Sequence, residues 1–600
     1  MPHLNRRAVL ATGAAAFAAP TLARSAPNAE LNKLFDQFFT ENLRRQPEGA
    51  TGLGLDKGPN ADLRAKLSDQ SDKGRADARA ATQDQLRRLK ALNPAGLSAA
   101  DRVNYDTVLF SLNSAAASQR FAYGGGGTPY VISQNTGAYQ GTPSFLADRH
   151  PIETAADADA YLARMEAFAG QLDANTERLR HDAGLGVIPP DFILETTLGQ
   201  LATIASPADQ QMMVTSIRKR AAEKTLGDRY GRDATRIYDE RILPAFARQM
   251  DEVKKARTKA VHDAGMWRFK DGPEFYATLL RNSTTTKLSP DEVHNIGLDQ
   301  ARRISAEIDT LLKAQGLTQG SLADRVRQLY ARPDQVYPNT DAGKLEAIAY
   351  CNERQAQIVP KLSQFFKRLP PYKFEVRRVP PAIEAGAGSA YAQPPTLDGS
   401  RPGLVFVNLR DTVEWPKLSL ATMIYHEGLP GHQFEGGLSL SNTSLPMIRK
   451  TGGFSGYGEG WGLYAEQLAD EMGMYENDPL GKIGYLKLSL FRCYRCITDT
   501  GIHHKRWSRE QAIAAFVDNV GEAPGFVTRE VERYCTTPGQ AASYKLGQIV
   551  IVRLRDRAQK ELGSRYDIKD FHEAVLGSGR VPLEVLESVV GDWIASAERA

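Results

Sequence analysis

The sequence has few cysteines, no long apolar run and little excess charge, and each shortage argues against a class of protein. Its 600 residues include only 4 cysteines, too few for a disulfide scaffold. No uninterrupted apolar run reaches the roughly 18 residues of a membrane span, so none is predicted. The formal net charge of +4 gives no electrostatic reason to expect a nucleic-acid partner. The remaining composition, 42% hydrophobic and 24% charged, is that of an ordinary globular protein.

The first 25 residues differ from the rest and are typical of an export signal. Arg6 and Arg7 precede an Ala-rich, weakly apolar run, and small residues lead to Ser25, after which cleavage is predicted. The arginine pair favours a twin-arginine signal, which exports folded proteins, and a Sec signal is the alternative. We therefore predict a periplasmic or secreted protein. Residues 26–600 are predicted to form a single large domain.

Helical periodicity dominates the mature chain, and strand signals are scarce. From about residue 29 to 118 the sequence is charged and rich in Ala and Leu, with a periodicity typical of helices. The same helical periodicity resumes along much of the remaining chain. Tyr372 to Val379 and Leu404 to Asn408 are the best strand candidates. The Gly/Pro/Ser/Thr-rich segment 123–149 is predicted to be one long loop, with its role as a lid left open. The predicted fold class is mainly α, a large helical body with a small β-sheet.

His426 and His432 carry the strongest chemical signal, because the residue type of a metal ligand is dictated by chemistry rather than by packing. They are six residues apart, whereas the familiar H-E-x-x-H helix has four. On a regular helix they would point about 240° apart. Pro430 and Gly431 lie between them, and both favour departures from helical backbone. We therefore predict that the helix breaks after Leu429 and that His432 returns to His426.

A zinc hydrolase also needs a third ligand, an open position for water and a general base. Glu427 directly follows a predicted ligand and is the predicted base. Glu459 and Glu466 are seven residues apart and share one face of the following helix. Glu459 is the preferred third ligand of a single zinc ion, and Glu466 is predicted to orient a histidine; the reverse assignment is the alternative. Glu435 is a reserve ligand.

Two later residues are candidates to donate a hydrogen bond to the oxyanion of a tetrahedral intermediate. His503 shares a helical face with Asp499, as an oriented imidazole would, although a surface or core histidine is the alternative. Tyr544 is the second candidate, against the commoner structural tyrosine. Cys493 and Cys496 form the single C-x-x-C of the chain, and we predict core cysteines rather than a redox pair or half of a zinc site.

Four ordered motifs resemble the bacterial domain-of-unknown-function family 885. They are the segments His426 to His432, Glu459 to Glu466, Asp499 to His503 and Pro538 to Lys545. Segment 571–583 also resembles the C-terminal end of the family, and the specific motifs all fall within residues 390–583. The family is similar to gluzincin metallopeptidases of the thimet-oligopeptidase and thermostable-carboxypeptidase kind, which are mostly helical. The resemblance therefore implies a gluzincin-like body with a deep active-site channel.

The resemblance also assigns roles to residues of this chain. Leu404 to Asn408 would be the edge strand beside which a peptide backbone lies. The ligand spacing is longer than in the peptidases, and Gln433 stands where many members of family 885 have a second histidine. The implied roles are metal ligand for His426, His432 and Glu459, general base for Glu427, and substrate and oxyanion positions for His503 and Tyr544.

The leading functional prediction is a zinc-dependent peptidase or amidase that hydrolyses short peptides by attack of water on the amide carbon. Arg492, Arg495 and Lys545 lie near the motifs and are candidates to receive a substrate carboxylate. A metal-dependent hydrolase of a non-peptide amide or ester would use the same site. A non-catalytic peptide- or metal-binding protein on this scaffold would need no base, and Glu427 argues against it. The sequence gives neither the substrate, nor the physiological metal, nor the oligomeric state.

Overall fold

The fold is mainly helical with a small sheet, as the sequence predicts. The computed structural model describes residues 28–381, 384, 390–395 and 401–599, so the predicted export signal lies outside the described residues. The helices are α1 (Ala29–Arg45), α2 (Pro47–Gly52), α3 (Asp72–Lys90), α4 (Ala99–Gln119), α5 (Ala138–Ser144), α6 (Ala155–Gly184), α7 (Asp191–Ile204), α8 (Met212–Glu223), α9 (Arg229–Ile237), α10 (Leu243–Arg257), α11 (Gly272–Thr284), α12 (Pro290–Ala314), α13 (Leu322–Tyr330), α14 (Asp341–Phe365), α15 (Lys417–Glu427), α16 (His432–Ser441), α17 (Met447–Lys450), α18 (Ser455–Glu471), α19 (Pro479–His503), α20 (Arg509–Val520), α21 (Pro524–Thr536), α22 (Ser543–Leu562), α23 (Ile568–Leu576) and α24 (Leu583–Arg599).

Local capping chemistry sets several of the helix starts. The hydroxyl of Ser289 accepts a hydrogen bond from the Glu292 N–H, and the Glu292 carboxylate accepts one from the Ser289 N–H. Pro290 occupies the first helical position, where its missing N–H is not needed. Thr154 and Asp157 form the same reciprocal pair at the start of α6.

Three strands form the small sheet: β1 (Phe374–Arg378), β2 (Ala390–Gln393) and β3 (Gly403–Val407). Their order is β1-β3-β2, with β1 parallel and β2 antiparallel to β3. Both predicted strands are confirmed, but the expectation that Leu404 to Asn408 is an edge strand is wrong. β3 is central because it pairs on both sides, and its largely buried, apolar residues suit that position. The two edge strands are β1 and β2, and β2 is the one that the sequence did not predict.

The prediction that residues 123–149 form one long loop is wrong for its second half. Residues 138–144 form α5, and a π-helical turn over Phe145–Arg149 follows directly. Tyr139 and Leu146 from this segment are buried in a hydrophobic cluster shared with α6 to α10. This tertiary burial stabilises helix in a segment whose Gly, Pro and Thr content disfavours it.

The motif-bearing helices are held by the largest hydrophobic cluster of the described residues. It includes Tyr425 of α15, Trp461 of α18 and Leu490 of α19, all fully buried. Helix α18 packs against α15 and α22, and α19 packs against α12 and α15. Cys493 lies in this cluster and Cys496 in another, and both are buried free thiols, which confirms the prediction of core cysteines. Among the helices of the described part, none has the length and apolarity to cross a membrane.

Candidate metal centre

A backbone break between α15 and α16 brings the two histidines together. Helix α15 ends at Glu427 and α16 begins at His432. Gly431, with φ −80° and ψ −131°, has left the helical region. A Cβ on Gly431 would lie only 1.9 Å from the carbonyl oxygen of His426, so the chain can turn back this closely only at glycine. The predicted break is confirmed, although the helix ends two residues earlier than Leu429.

The side chains of His426, His432 and Glu459 converge on one point. Glu459 Oε2 lies 3.4 Å from Nε2 of His426 and 3.3 Å from Nε2 of His432. All three ligand atoms lie within 4.8 Å of one another. Ligand atoms about 2.0–2.1 Å from a tetrahedral zinc ion are separated by about 3.3–3.4 Å. The two N–O separations therefore match the distance expected between two ligand atoms of one tetrahedral ion, and these residues could hold a metal ion.

Two hydrogen-bonded residues fix the orientation of His426. Its Nδ1 lies 2.8 Å from Oε1 of Glu466, whose Oε2 accepts a hydrogen bond of 2.7 Å from the Thr422 hydroxyl. With Nδ1–H donating to Glu466, the Nε2 lone pair is directed toward Glu459 and is available to a metal. Sequence reasoning missed Thr422, although its position four residues before His426 places it on the same helical face.

The charges around the three predicted ligands favour a cation. Burial lowers the pKa of His426, but hydrogen bonding to Glu459 and Glu466 outweighs it and raises that pKa to about 9. Burial raises the pKa of Glu459, yet its contacts with His426 and His432 hold it well below its ordinary value. When no metal is bound, protonated His426 thus carries a positive charge between the carboxylates of Glu459 and Glu466. A bound divalent cation would carry a larger positive charge in the same place.

The two acids nearest in sequence to the histidines have different surroundings. Glu427 is half-buried, and its carboxylate makes no hydrogen bond or ion pair within the residues that the structure describes. Glu435, the reserve ligand, is buried and instead accepts a bidentate hydrogen bond from Arg580, with Nη2 to Oε2 at 2.8 Å. Glu435 is therefore committed to an ion pair outside the ligand group, which is formed by His426, His432 and Glu459, whereas Glu427 has no such partner among the described residues.

Tyr544, at the start of α22, is brought beside the ligand group. Its ring lies 6.3 Å from the ring of His426, centroid to centroid, and the two planes differ by 16°. The guanidinium of Arg495 lies over the Tyr544 ring, with Cζ 4.4 Å from the centroid. Burial and the nearby charge of Glu459 raise the pKa of Tyr544 above its ordinary value. The phenol therefore keeps its proton at neutral pH and can act as a hydrogen-bond donor.

Within the described part of the chain, His503 is not among the residues whose ligand atoms converge with those of His426, His432 and Glu459. Its Nδ1 accepts a hydrogen bond of 3.2 Å from the backbone N–H of Met266, and Nε2–H donates one of 3.0 Å to the carbonyl of Tyr534. Burial lowers the pKa of His503 to about 4, so the ring is neutral. Asp499, expected beside it, accepts hydrogen bonds from the Tyr276 hydroxyl and the Gly539 N–H instead. Backbone groups therefore occupy both nitrogens of His503.

Several solved structures resemble this one. The "putative lipoprotein" from Colwellia psychrerythraea is 30% identical over 94% of this chain and 99% of its own, with a TM-score of 0.90. A "putative lipoprotein of unknown function" from Shewanella oneidensis is 17% identical over 94% and 100%, with a TM-score of 0.72. Pyrococcus furiosus carboxypeptidase is 10% identical over 96% and 99%, with a TM-score of 0.37.

A search of curated proteins finds no match. The family described as "Bacterial protein of unknown function (DUF885)" matches residues 47–590, which is most of the sequence and includes every residue of the candidate metal centre. The resemblance that the motifs indicated is thus confirmed, and the chain belongs to the DUF885 family.

Proposed function

We propose that this protein is a zinc-dependent peptidase or amidase that hydrolyses short peptides. The observation that carries the proposal is the carboxylate of Glu427, which directly follows His426 in the chain and has no hydrogen-bond or ion-pair partner among the described residues. Nε2 of His426 itself lies 3.4 Å from Oε2 of Glu459. Three ligands with an adjacent free base are what hydrolytic zinc sites need, since the fourth position stays open for water. A protein that only bound a metal would need no such base.

Each side chain then has a distinct part in the reaction. A zinc ion, when bound, would polarise the amide carbonyl and acidify water. Glu427 would accept the proton of the attacking water and return it to the leaving nitrogen. Tyr544 would donate a hydrogen bond from its phenol to the oxygen of the former carbonyl. Glu466 would keep the proton of His426 on Nδ1. His503 has no part in this scheme, because backbone groups occupy both of its nitrogens.

The position of β2 supports a peptide substrate rather than another amide. β2 is one of the two edge strands of the sheet, and it packs near α15 and α16, which carry the histidines. The side-chain amide of Gln433 donates to the carbonyls of Gln393 and Leu404, both at 2.9 Å, and so ties the end of β2 to the first turn of α16. An extended peptide that added to β2 would run past the ligand group.

We also propose that the protein is exported and that residues 26–600 act as one domain. Residues 1–25 have the order of segments expected of an export signal. Two similar bacterial structures carry the name "putative lipoprotein", which supports export of proteins of this shape. Export as a folded protein would let the chain acquire its metal in the cytoplasm.

Substitution of Glu427 tests the proposal. We expect purified protein to contain one zinc per chain and to cleave members of a short-peptide library. Glu427→Gln should keep the zinc but lower kcat by about 100-fold or more, because the base is lost while the three ligands remain. The exposed Glu476→Gln serves as the control and should leave both unchanged. A wild-type protein that takes up no metal after incubation with zinc would refute the proposal.

A further inference from the structure

Next to Tyr544 is a cluster of Arg495, Arg533 and Glu530, which carries two positive charges and one negative charge. Arg495 and Arg533 both pair with Glu530: Nη2 of Arg495 lies 2.8 Å from Oε2 of Glu530, and Nη2 of Arg533 lies 3.2 Å from the same oxygen. In the described part of the chain neither arginine makes a second ion pair. Arg495 is only 8% exposed, so this charge imbalance is poorly screened by solvent.

The hydrogen-bonding capacity of the cluster is also incomplete. The Nε and Nη1 atoms of Arg495 are buried and have no hydrogen-bond partner among the described residues. A buried guanidinium normally satisfies its donors, because leaving a charged group unpaired costs free energy. Asp499, a further acid near Arg533, is already bonded to Tyr276 and Gly539. The two guanidinium groups therefore carry one positive charge more than Glu530 balances, and Arg495 keeps two donor nitrogens without an acceptor among the described residues.

The cluster adjoins the proposed reaction centre. Arg495 Cζ lies 4.4 Å from the centroid of the Tyr544 ring, which is 6.3 Å from that of His426. The guanidinium is thus at most about 11 Å from the His426 ring. An extended residue spans about 3.3–3.6 Å. A bound peptide would contact the guanidinium at one end and the metal centre at the other, so one or two residues of peptide would bridge the distance that remains between these contacts. Arg533 is the more accessible of the two guanidinium groups, with 26% of its side chain exposed.

The other basic residues near the motifs have different partners. Lys545 is buried, and its Nζ is bonded to the Ser489 hydroxyl at 3.0 Å and to the Gln548 side chain at 2.8 Å. Arg492 is half-buried and donates from Nη1 to the carbonyl of Leu488. Among the described residues neither side chain forms a hydrogen bond or ion pair with Tyr544 or Glu530, whereas Arg495 and Arg533 both pair with Glu530.

We propose that Arg495 and Arg533 bind the C-terminal carboxylate of the substrate, so that the enzyme removes the last one or two residues of a peptide. This inference rests on the proposed peptidase function and adds the substrate class. A carboxylate would balance the second guanidinium charge and accept hydrogen bonds from the cluster, and arginine suits it because its planar fork matches a carboxylate. Arg533 is 26% exposed, and its Nη1 donates to Oε1 of Gln540 at 2.7 Å, so it would make the first contact by exchanging that neutral acceptor for the carboxylate.

A matched pair of substrates tests the inference in the wild-type protein. N-acetyl-trialanine has a free C-terminal carboxylate, and its C-terminal amide lacks that charge but is otherwise the same. With zinc-loaded enzyme we expect the acid to have a kcat/KM about 10- to 100-fold higher than the amide, mostly through a lower KM. Equal kcat/KM values for the two peptides would overturn the proposed carboxylate site.

Variants assign the preference to Arg533. Arg533→Gln should remove the preference for the acid by raising its KM and should change the kinetics of the amide by less than about 2-fold. Arg533→Lys, which keeps the charge, should retain part of the preference. Arg492→Gln is the control and should leave it intact. If Arg533→Gln lowered kcat equally for both peptides and kept their ratio, the residue would only position Tyr544 and the inference would fail.

A binding measurement separates this inference from the proposed function. Calorimetric titration of zinc-loaded Glu427→Gln with the two peptides requires no turnover. We expect the acid to bind about 10-fold or more tightly than the amide, and the double variant with Arg533→Gln to bind both equally. Failure to cleave either peptide would count against the peptidase proposal alone, whereas equal binding of acid and amide would count against the carboxylate site alone.

Discussion

At the scale of single residues, the candidate ligands are held by hydrogen bonds as well as by packing. His426 is oriented by Glu466, and Glu466 is held by the Thr422 hydroxyl. All three side chains are buried, so these bonds face little competition from water. The arrangement fixes which nitrogen of His426 carries its proton, and this decides whether Nε2 can act as a ligand.

Removing the charge of Glu466 should therefore weaken metal binding without disturbing the fold. We expect Glu466→Gln to lower zinc affinity by about 10- to 100-fold, measured by competition with a chromophoric chelator. Thr422→Val, which removes only the outer hydrogen bond, should have a smaller effect in the same direction. Unchanged zinc affinity in Glu466→Gln would show that this residue does not support the metal site.

At the scale of elements, glycines let α15, α16 and α18 approach one another. Gly431 permits the return of the chain between α15 and α16, and Gly462 lets α18 pass beside the His426 ring. A Cβ on Gly462 would lie 2.6 Å from Cε1 of His426, which is closer than real side chains approach. The spacing between α15 and α18, and hence the distance from His426 to Glu459, depends on this missing side chain.

Alanine at position 462 should displace the His426 ring. We expect Gly462→Ala to lose stoichiometric zinc and to be destabilised by about 1–3 kcal/mol, because the added methyl group has no room. Gly458→Ala on the same helix is the matched control, since its Cβ would meet nothing within 4 Å. That variant should bind zinc normally and gain up to about 1 kcal/mol from helix propensity. Zinc content and urea unfolding of both variants measure these effects.

At the scale of the whole molecule, Asp499 connects segments that are distant in the chain. From α19 it accepts a hydrogen bond of 2.7 Å from the Tyr276 hydroxyl of α11 and bonds of 3.0 Å from the N–H of Gly539, which precedes α22. Burial raises the pKa of Asp499 to about 7 even though these bonds favour the ionised form. The folded protein thus holds a proton on Asp499 that the unfolded chain releases near pH 4.

This difference makes stability depend on pH in a defined direction. Between about pH 4 and pH 7 the folded state binds the extra proton, so the contribution of Asp499 to the free energy of unfolding falls as pH rises, by at most about 4 kcal/mol. Asp499→Asn cannot ionise and should lose this dependence. Urea unfolding of wild type and variant at pH 5 and pH 7.5 measures it, with the exposed Asp518→Asn as control. Parallel pH profiles for wild type and Asp499→Asn would contradict the prediction.

Features fixed by neighbours in the chain could be predicted from the sequence, whereas those fixed by distant partners could not. The break between His426 and His432 follows from Pro430 and Gly431, and the start of α12 follows from its capping box. The surroundings of His503, a candidate donor to the oxyanion, could not be predicted from the neighbouring sequence, because its partner Met266 lies 237 residues away. The deep channel implied by the family resemblance remains a prediction.

Strand β2 and helix α5 show the same limit at the level of elements. The four residues of β2 carry no strong strand pattern, and their place at the edge depends on pairing with β3. Helix α5 exists because Tyr139 is buried against residues of α6 to α10, although its own sequence favours a loop. Contacts made at long range therefore decided both elements.

The sequence by itself determined the helical class, the family, the two histidines with their adjacent acid, and the break that lets them meet. These follow from residue type and short spacing, which act through local backbone preferences. Only the tertiary structure decided that Glu459 faces the histidines while Glu466 supports one of them. It also decided that Tyr544 lies beside His426, that backbone groups bind both nitrogens of His503, and that two arginines share one carboxylate. Those facts depend on how helices from distant parts of the chain pack together, and helix packing is set by complementary surfaces rather than by any one segment.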